Sequence, residues 1–533
     1  MPTLSIDGKT VTVEPGTNVI QAAEKLGISI PYYCYHPGLS IAGNCRMCLV
    51  KMEKSPKPII ACQTTCQDGM VVDASSAEVS KLRQAVLEFL LVNHPLDCPV
   101  CDQAGECWLQ DYYMEYGLYD PKFNENKVKK HYKATPIGPH VILDTERCVL
   151  CSRCVRFTDE ISKTHELGIF DRGDHSEIGI YPGKDLDNKY SGNVVDICPV
   201  GALTDRDFRF KCRVWYLESA DSICTGCSRG CNIQIHTNKE RPHHAQGERV
   251  MRLKPRYNAE VNKWWMCDAG RYGYKFIDRE RLLMPLRREG NRWQEESWDL
   301  ILGSLGSALK ALLKQHGEGS FGVFISPQLS NEDLFVAKKL FKEILNLPYL
   351  SFLSPRPLGD EDSLLIKADK NPNTDGVLAV DITKASFDSV VQSILAGRMK
   401  GLYLFGQDLV SLLGMKQSKE ILGKLELIVF QGSNKNTTSE LAHYILPSAT
   451  FAEKEGTFTN FSKRVQRFWK ALEPLGSSLP DGEILWRLAS EMGDRLEYRT
   501  PQEIFSVLAR EVPAFGGLSY EALGKEGKPC SSK

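Results

Sequence analysis

The chain has 533 residues, which at roughly 150 residues per domain allows three or four domains, each with its own core. Lys plus Arg number 66 against 67 Asp plus Glu, so the formal net charge of −1 offers no bulk attraction for nucleic acid or an anionic membrane surface. The longest near-continuous apolar run, Val86 to Val92, is far short of the roughly 20 residues a membrane helix needs, and no bilayer span is expected.

Met1 to Lys9 lack the charged and apolar regions of a secretory signal, so a cytosolic setting is expected. Of 18 cysteines, 17 lie in residues 1 to 267 and only Cys530 lies beyond. Clustered thiols at short spacing in such a chain point to metal or cofactor ligation rather than to a disulfide framework.

Thr3 to Ile6, the Asp7-Gly8 turn and Thr10 to Val13 predict a hairpin, and Asn18 to Leu26 a short helix ended by Gly27. That is the opening of a β-grasp ferredoxin. Gly8-Lys9-Thr10 is no phosphate loop, because the pattern needs a glycine where Thr3 stands. The first ligand constellation is Cys34-x10-Cys45-x2-Cys48-x13-Cys62, one close pair plus two flanking thiolates, as a 2Fe-2S cluster requires. Zinc ribbons pair one C-x2-C with another, which disfavours zinc here. Cys66 is a rival fourth ligand, and His36 imitates half of a Rieske site but reads as a bystander.

Ser75-Ser76-Ala77-Glu78 resembles a capping box, and Val79, Leu82, Val86, Phe89 and Leu90 form a stripe at helical spacing. This helix delivers His94 to His94-x3-Cys98-x2-Cys101-x5-Cys107. Three cysteines leave a 4Fe-4S cluster one ligand short, and His94 is the nearest upstream candidate, although a histidine near a helix end is more often a cap or surface group. The basic stretch Lys127 to Lys133 reads as a solvated face or linker. Cys148-x2-Cys151-x2-Cys154 with a remote Cys198-Pro199 matches the bacterial ferredoxin pattern for one 4Fe-4S cluster. Cys224-x2-Cys227-x3-Cys231-x35-Cys267 also suits a 4Fe-4S cluster, with a four-thiolate zinc site as the alternative. Cys66, Cys212 and Cys530 are left as ordinary thiols.

From about residue 280 apolar strands alternate with amphipathic helices. Phe321 to Ile325, Leu402 to Phe405 and Leu427 to Phe430 are strands, Ser330 starts a helix carrying Leu334, Ala337, Leu340 and Ile344, and another helix lies near Glu420. The alternation predicts a parallel sheet with helices on its faces. No G-x-G-x-x-G follows a strand, so a dinucleotide site is not supported. Glu453 to Asn460 reads as a ligand-groove lining or a surface loop after Pro447.

With these constellations in place, the chain resembles the large iron-sulfur subunit (75-kDa, G type) of the peripheral arm of respiratory complex I, the NADH:quinone oxidoreductase. The resemblance covers the first 270 residues and rests on the three spacings above and on Cys198-Pro199-Val200-Gly201-Ala202-Leu203. It implies that Cys34, Cys45, Cys48 and Cys62 hold a 2Fe-2S cluster, and that His94, Cys98, Cys101 and Cys107 hold a 4Fe-4S cluster. It likewise implies 4Fe-4S ligation by Cys148, Cys151, Cys154 and Cys198. The Cys224, Cys227, Cys231, Cys267 motif resembles the cluster domain at the entrance of molybdopterin oxidoreductases, with an unusually long gap before Cys267. The later half, through Ala449 to Asn460, looks like a shortened molybdopterin fold, and the lack of cysteine between Cys267 and Cys530 implies a scaffold without molybdenum.

The implied architecture is multidomain, α+β and α/β. A β-grasp 2Fe-2S ferredoxin domain (1–78) is followed by a His(Cys)3-ligated 4Fe-4S domain (79–125) and a 4Fe-4S ferredoxin-like domain (140–215). A Mo/W bis-MGD-type 4Fe-4S domain (217–273) and a degenerate molybdopterin oxidoreductase-like α/β domain (274–533) complete it. The implied function is an electron relay with no catalytic residue of its own, carrying electrons from the FMN- and NADH-binding subunit toward the quinone-proximal iron-sulfur subunits. The order would be the first site, the third, then the second, with the fourth off the path. The implied place is the cytoplasmic side of the bacterial inner membrane, peripheral, within a membrane complex. The rivals are a molybdopterin-dependent formate dehydrogenase catalytic subunit, a relay subunit of an NAD-linked hydrogenase or formate dehydrogenase, and a zinc-stabilised scaffold.

Overall fold

A computed structural model describes residues 1–531 except 121–122, 385–386, 495 and 497. The chain divides into two units, Met1–Leu217 and Glu218–Lys533.

The first unit opens with the predicted hairpin, Thr3–Ile6 against Lys9–Thr12, with Asp7 and Gly8 both at positive φ in the turn. Thr3–Ile6 also pairs in parallel with Val71–Asp73, and Leu49–Met52 and Ile59–Ile60 complete a five-stranded mixed sheet. The helix Val19–Lys25 starts at an Asn18/Gln21 capping box and buries Val19, Ile20, Ala22 and Ala23 in a core shared with Leu4, Ile6, Val50 and Val72. This is the expected β-grasp arrangement.

The next helix, Ala77–Val92, differs from its expected detail. Its cap is Ser76, whose side chain accepts the Val79 N–H, so the Ser75/Glu78 box is not formed. Its buried residues are Val79, Arg83 and Leu87, while Phe89 is 80% exposed. Val86 and Leu90 of the expected stripe still pack against a core cluster, and Arg83 joins that buried face, donating to the Tyr116 hydroxyl at 2.9 Å and the Ala74 carbonyl at 2.8 Å. The helix ends at Asn93 and hands the chain directly to His94.

The Lys127 to Lys133 stretch has no buried residue, as expected of a solvated face or linker, but several of its lysines are anchored. Lys127 Nζ donates to the Leu91 and Val92 carbonyls at the end of that helix, and Lys133 pairs with Asp97, Asp144 and Glu146. Its cations are spent on helix-end carbonyls and acids, which pins the segment down.

Beyond it, Val141–Leu143 pairs antiparallel with Leu203–Asp205 in the register Leu143↔Leu203. Antiparallel pairing places the segment after Leu143 and the segment before Leu203 at the same sheet end, and Cys148 and Cys198 lie on those two segments.

The second unit begins with the antiparallel strands Glu218–Ile223, Asn232–Thr237 and Val250–Pro255. The final pair, Ile223↔Asn232, turns residues 224–231 into the hairpin loop, and the Cys224 N–H donates to the Cys231 carbonyl at 2.8 Å. An eight-stranded sheet comes next. Its six parallel strands run spatially as Tyr444–Pro447, Leu427–Gly432, Gly401–Phe405, Phe321–Ile325, Tyr349–Phe352 and Thr383–Lys384. The expected strands and the helices Asn331–Ala337 and Met415–Leu422 are present; the antiparallel edge hairpin Leu286–Glu289/Arg292–Glu295 adds to them.

Residues 450–460 are neither a surface loop nor a groove lining throughout, since all but one are buried. Charge pairing makes this possible. Glu453 takes a two-pronged bond from Arg281 (2.9 and 2.8 Å) and another from Arg249 (2.7 Å), and Lys454 Nζ lies 2.7 Å from Asp333 and 2.6 Å from Asp481. Glu332 accepts from the Thr457 N–H, the Thr457 hydroxyl and the Tyr520 hydroxyl.

Burial raises the Glu332 carboxyl to about 7 against those bonds. The folded state therefore holds a proton that the unfolded state releases, and stability falls as pH rises between about 4.5 and 7. Glu332→Gln should remove this dependence, gaining roughly 2–3 kcal/mol on the wild type across that window. Melting profiles of both proteins with parallel pH slopes would contradict it.

Candidate metal centres

Four thiols of the first constellation meet in one buried group. The Cys34 sulfur is linked by hydrogen bonds to Cys45 and Cys62, and Cys62 to Cys48. Those bonds hold Cys34 and Cys48 below the ordinary thiol range and push Cys45 and Cys62 above it. The Tyr33 N–H points at the Cys45 sulfur at 3.4 Å. Cys66 is buried but outside this sulfur group, with its N–H on the Thr17 carbonyl. His36 is a turn residue: its Nδ1 accepts the Gly38 N–H at 3.1 Å, and burial followed by Arg153 and Arg156 lowers it to about 4.

His94, Cys98, Cys101 and Cys107 line one cavity of about 500 Å³, with Leu96, Tyr113, Phe123 and Arg147 also on its wall. Burial first, then Lys127 and Arg147, lowers His94 to about 4, so its ring is neutral and has a lone pair to offer. Burial raises Cys107 to about 11, and Cys98 is the exposed member.

Cys148, Cys151, Cys154 and Cys198 surround a small apolar cavity with Leu143, Ile178, Pro199 and Ala202. Burial, with the neighbouring thiols, raises Cys148 and Cys198 to about 12, and the Leu150 N–H lies 3.3 Å from the Cys148 sulfur. Without a cation these four are neutral thiols; a metal must drive their ionisation.

Cys224, Cys227, Cys231 and Cys267 also converge, each thiol lying in the electrostatic field of the others. The long gap before Cys267 is taken up by the third strand and the turn after it, and Cys267 caps the helix Asp268–Tyr272. The Gly226 N–H faces the Cys224 sulfur and the Gly270 N–H the Cys267 sulfur, both at 3.4 Å. Arg356 donates to the Thr225 carbonyl at 2.9 Å.

The sulfurs leave no room for side chains at two glycines. A Cβ on Gly201 would lie 2.2 Å from the Cys101 sulfur, and one on Gly270 would lie 2.8 Å from that of Cys224. Gly201 belongs to the segment closing the third set, so the second and third sets are neighbours. Cys151 and Cys34 likewise share an electrostatic field, making the first and third neighbours. Four soft donors in apolar, N–H-lined surroundings suit iron-sulfur clusters. Gly270 and the sulfur-facing N–H groups are not read from the sequence, because a backbone donor or a close approach is invisible until the loop is folded.

The comparisons agree with this geometry. The family model described as "2Fe-2S iron-sulfur cluster binding domain" matches residues 1–77, and "NADH-ubiquinone oxidoreductase-G iron-sulfur binding region" matches 83–122. "NADH-quinone oxidoreductase subunit 3, ferredoxin-like domain" matches 138–204, "Molybdopterin oxidoreductase Fe4S4 domain" 217–279, and "Molybdopterin oxidoreductase" 281–360 and 368–491. A protein of Rickettsia felis, named as the G-type subunit of NADH-quinone oxidoreductase, is 32% identical over 97% of this chain and 91% of its own length. The chain belongs to the family of G-type NADH-quinone oxidoreductase subunits.

The 78 kDa subunit of NADH-ubiquinone oxidoreductase from Neurospora crassa is 44% identical over 63% of this chain, a match that spans 44% of that protein. The 75 kDa subunit from Reclinomonas americana is 41% identical over 65% of this chain and 48% of its own length. As a member of the G-type family, the chain carries 2Fe-2S and 4Fe-4S binding domains followed by a molybdopterin oxidoreductase-type fold.

Three substitutions test the ligand sets. Cys66→Ser should leave the 2Fe-2S electron paramagnetic resonance signal intact while Cys62→Ser abolishes or reshapes it; the reverse outcome would make Cys66 the fourth ligand. His94→Cys should keep a cubane signal but lower its midpoint potential, because a thiolate replaces a neutral ring. An unchanged redox titration would remove His94 from the set.

Proposed function

We propose that the chain is the electron-relay subunit of an NADH:quinone oxidoreductase, the respiratory complex I, with one 2Fe-2S and three 4Fe-4S sites and no molybdenum. The observation that carries this reading is the run of three adjoining ligand sets in the first unit, Cys34/Cys45/Cys48/Cys62, then Cys148/Cys151/Cys154/Cys198, then His94/Cys98/Cys101/Cys107. The matched family and its members' names support the rest.

When bound, the clusters supply one-electron redox chemistry without proton transfer. The protein's share is to hold four ligands per site, exclude water and set the dielectric around the sulfurs. Burial of ten of the fifteen ligand cysteines serves the second, and the Tyr33, Leu150, Gly226 and Gly270 N–H groups, aimed at sulfur, favour the more negative state. No general acid or base is required of any side chain.

The fourth set, Cys224/Cys227/Cys231/Cys267, would sit off this path. In the C-terminal half a polar cavity lies at the carboxyl ends of the parallel strands, lined by Ser326, Gly406, Gly432, Ser448, Lys454 and Asp481 among others. It presents no thiol, and its carboxylate, Asp481, is tied to Lys454 and Gln431, so the donor set does not fit a molybdenum ion.

The partners implied are the flavin subunit that takes hydride from NADH and the iron-sulfur subunits next to the quinone. No helix among the described residues is long and apolar enough to cross a membrane. Attachment to the cytoplasmic face of the bacterial inner membrane would therefore be through the complex.

Elemental mass spectrometry of the anaerobically purified chain should find about 14 iron atoms per chain, with no zinc, molybdenum or tungsten. About one molybdenum or tungsten would instead place catalysis in the C-terminal half, and zinc in place of iron would leave only a scaffold.

A further inference from the structure

The three ligand loops of the first unit meet on a guanidinium with no acidic partner. Arg153 is 2% exposed. Its Nη1 donates to the Ile197 carbonyl at 3.0 Å and its Nη2 to the Tyr35 carbonyl at 2.5 Å. The same guanidinium lies 4.6 Å from the centre of the Trp108 ring and 5.7 Å from that of Tyr32. Ile197 precedes Cys198, Tyr35 follows Cys34 and Trp108 follows Cys107, so one side chain touches a neighbour of a ligand in each of the three sets. Arg156, partly exposed, donates to the Cys34 carbonyl at 2.5 Å, the Cys151 carbonyl at 3.3 Å and the Ser40 carbonyl. Among the described residues, the polar partners of both arginines are carbonyl and hydroxyl oxygens, and neither forms an ion pair.

A cation buried without a counter-charge costs several kcal/mol. Two carbonyls and two ring faces offset part of that. Among the described residues no carboxylate pairs with Arg153, and the groups that favour its charge are the Cys151 thiol first, then Tyr32 and the Cys198 thiol. Both guanidiniums already pull the Cys151 thiol down against its burial, and both act on His36 beside Cys34.

We propose that Arg153, assisted by Arg156, is the built-in counter-charge of the first and third sites, and that it raises the reduction potential of both by stabilising the extra negative charge each gains on reduction. One fixed cation shared by two adjoining sites shifts both potentials in the same direction. Arginine suits the position because its planar fork spans two carbonyls while its charge cannot be lost. Arg153 is a positioning and tuning residue, and the proposal rests on the ligand sets of the relay reading.

The test is redox titration of the full-length, cluster-loaded chain followed by electron paramagnetic resonance. In Arg153→Gln the ratio of reduced to oxidised cluster at a fixed potential should fall on the order of tenfold for the first and third sites, a midpoint shift of about 59 mV. The second site, reached only through the Trp108 ring, should move less. Arg153→Lys keeps the charge without the fork and should stay near the wild type. Unchanged ratios in Arg153→Gln, or equal shifts in Arg153→Gln and Arg153→Lys, would overturn the proposal, the latter by assigning the effect to packing. If Arg153→Gln does not retain its clusters, Arg156→Gln decides: a fall at the same two sites supports the counter-charge, and no fall overturns it. Absence of the first and third signals from the wild type would overturn the ligand reading and this inference with it.

Discussion

Antiparallel strand register is the constraint on which the third and fourth metal centres depend. A short loop can bring three or four ligands together by itself, as in residues 94–107, but strand pairing shapes the third and fourth sets. Pairing of Leu143 with Leu203 brings Cys198 beside the Cys148 loop, and pairing of Ile223 with Asn232 closes Cys231 onto Cys224. A slip of one residue in either ladder would turn the following ligand to the opposite face of its strand. The buried apolar residues of these strands, Val141, Leu143, Leu203, Ile223 and Ile233 among them, thus help to bring the thiols together.

Burial is the second requirement, and it acts on charge. The same apolar surroundings that exclude water push most of the cysteine thiols upward, so an empty site is a set of neutral thiols and a filled one a buried anion. The first unit answers with cations that have no carboxylate, Arg153 and Arg156, and with N–H groups turned toward sulfur. Elsewhere buried charge is handled in the ordinary way, by pairing. Arg281 and Arg249 meet Glu453, and Lys454 bridges Asp333 and Asp481. Arg147 beside the second set is likewise paired, with Asp97 and Asp144, so Arg153 and Arg156 stand apart in having only carbonyl and hydroxyl partners.

The C-terminal half keeps a doubly wound sheet whose strand ends form a polar cleft, the place where such folds bind ligands. Its carboxylate and ammonium are locked to one another across that cleft. The result is a rigid body whose internal ion pairs join the segments 281, 333, 453–454 and 481 into one core.

Much of the chain is legible in the sequence. Ligand spacing outlines four groups, since coordination needs donors of fixed kind within a short loop, and the family resemblance completes the sixteen with His94 and with Cys62 over Cys66. The β-grasp hairpin, the Asn18 cap and the apolar strands at Phe321, Leu402 and Leu427 are equally local signals. The tertiary structure adds its own reason to set Cys62 apart from Cys66, and it alone turns Arg83 inward, leaves Phe89 exposed, and draws Glu453 to Asn460 into the core. Each of these depends on which distant group meets a side chain: Cys62 gains two thiols, Arg83 a tyrosine hydroxyl, Glu453 two arginines. Arg153 illustrates the limit most sharply, since a charged residue in a short loop reads as solvated. It is buried because three loops, brought together by strand pairing, offer it carbonyls, ring faces and the field of the sulfur sites.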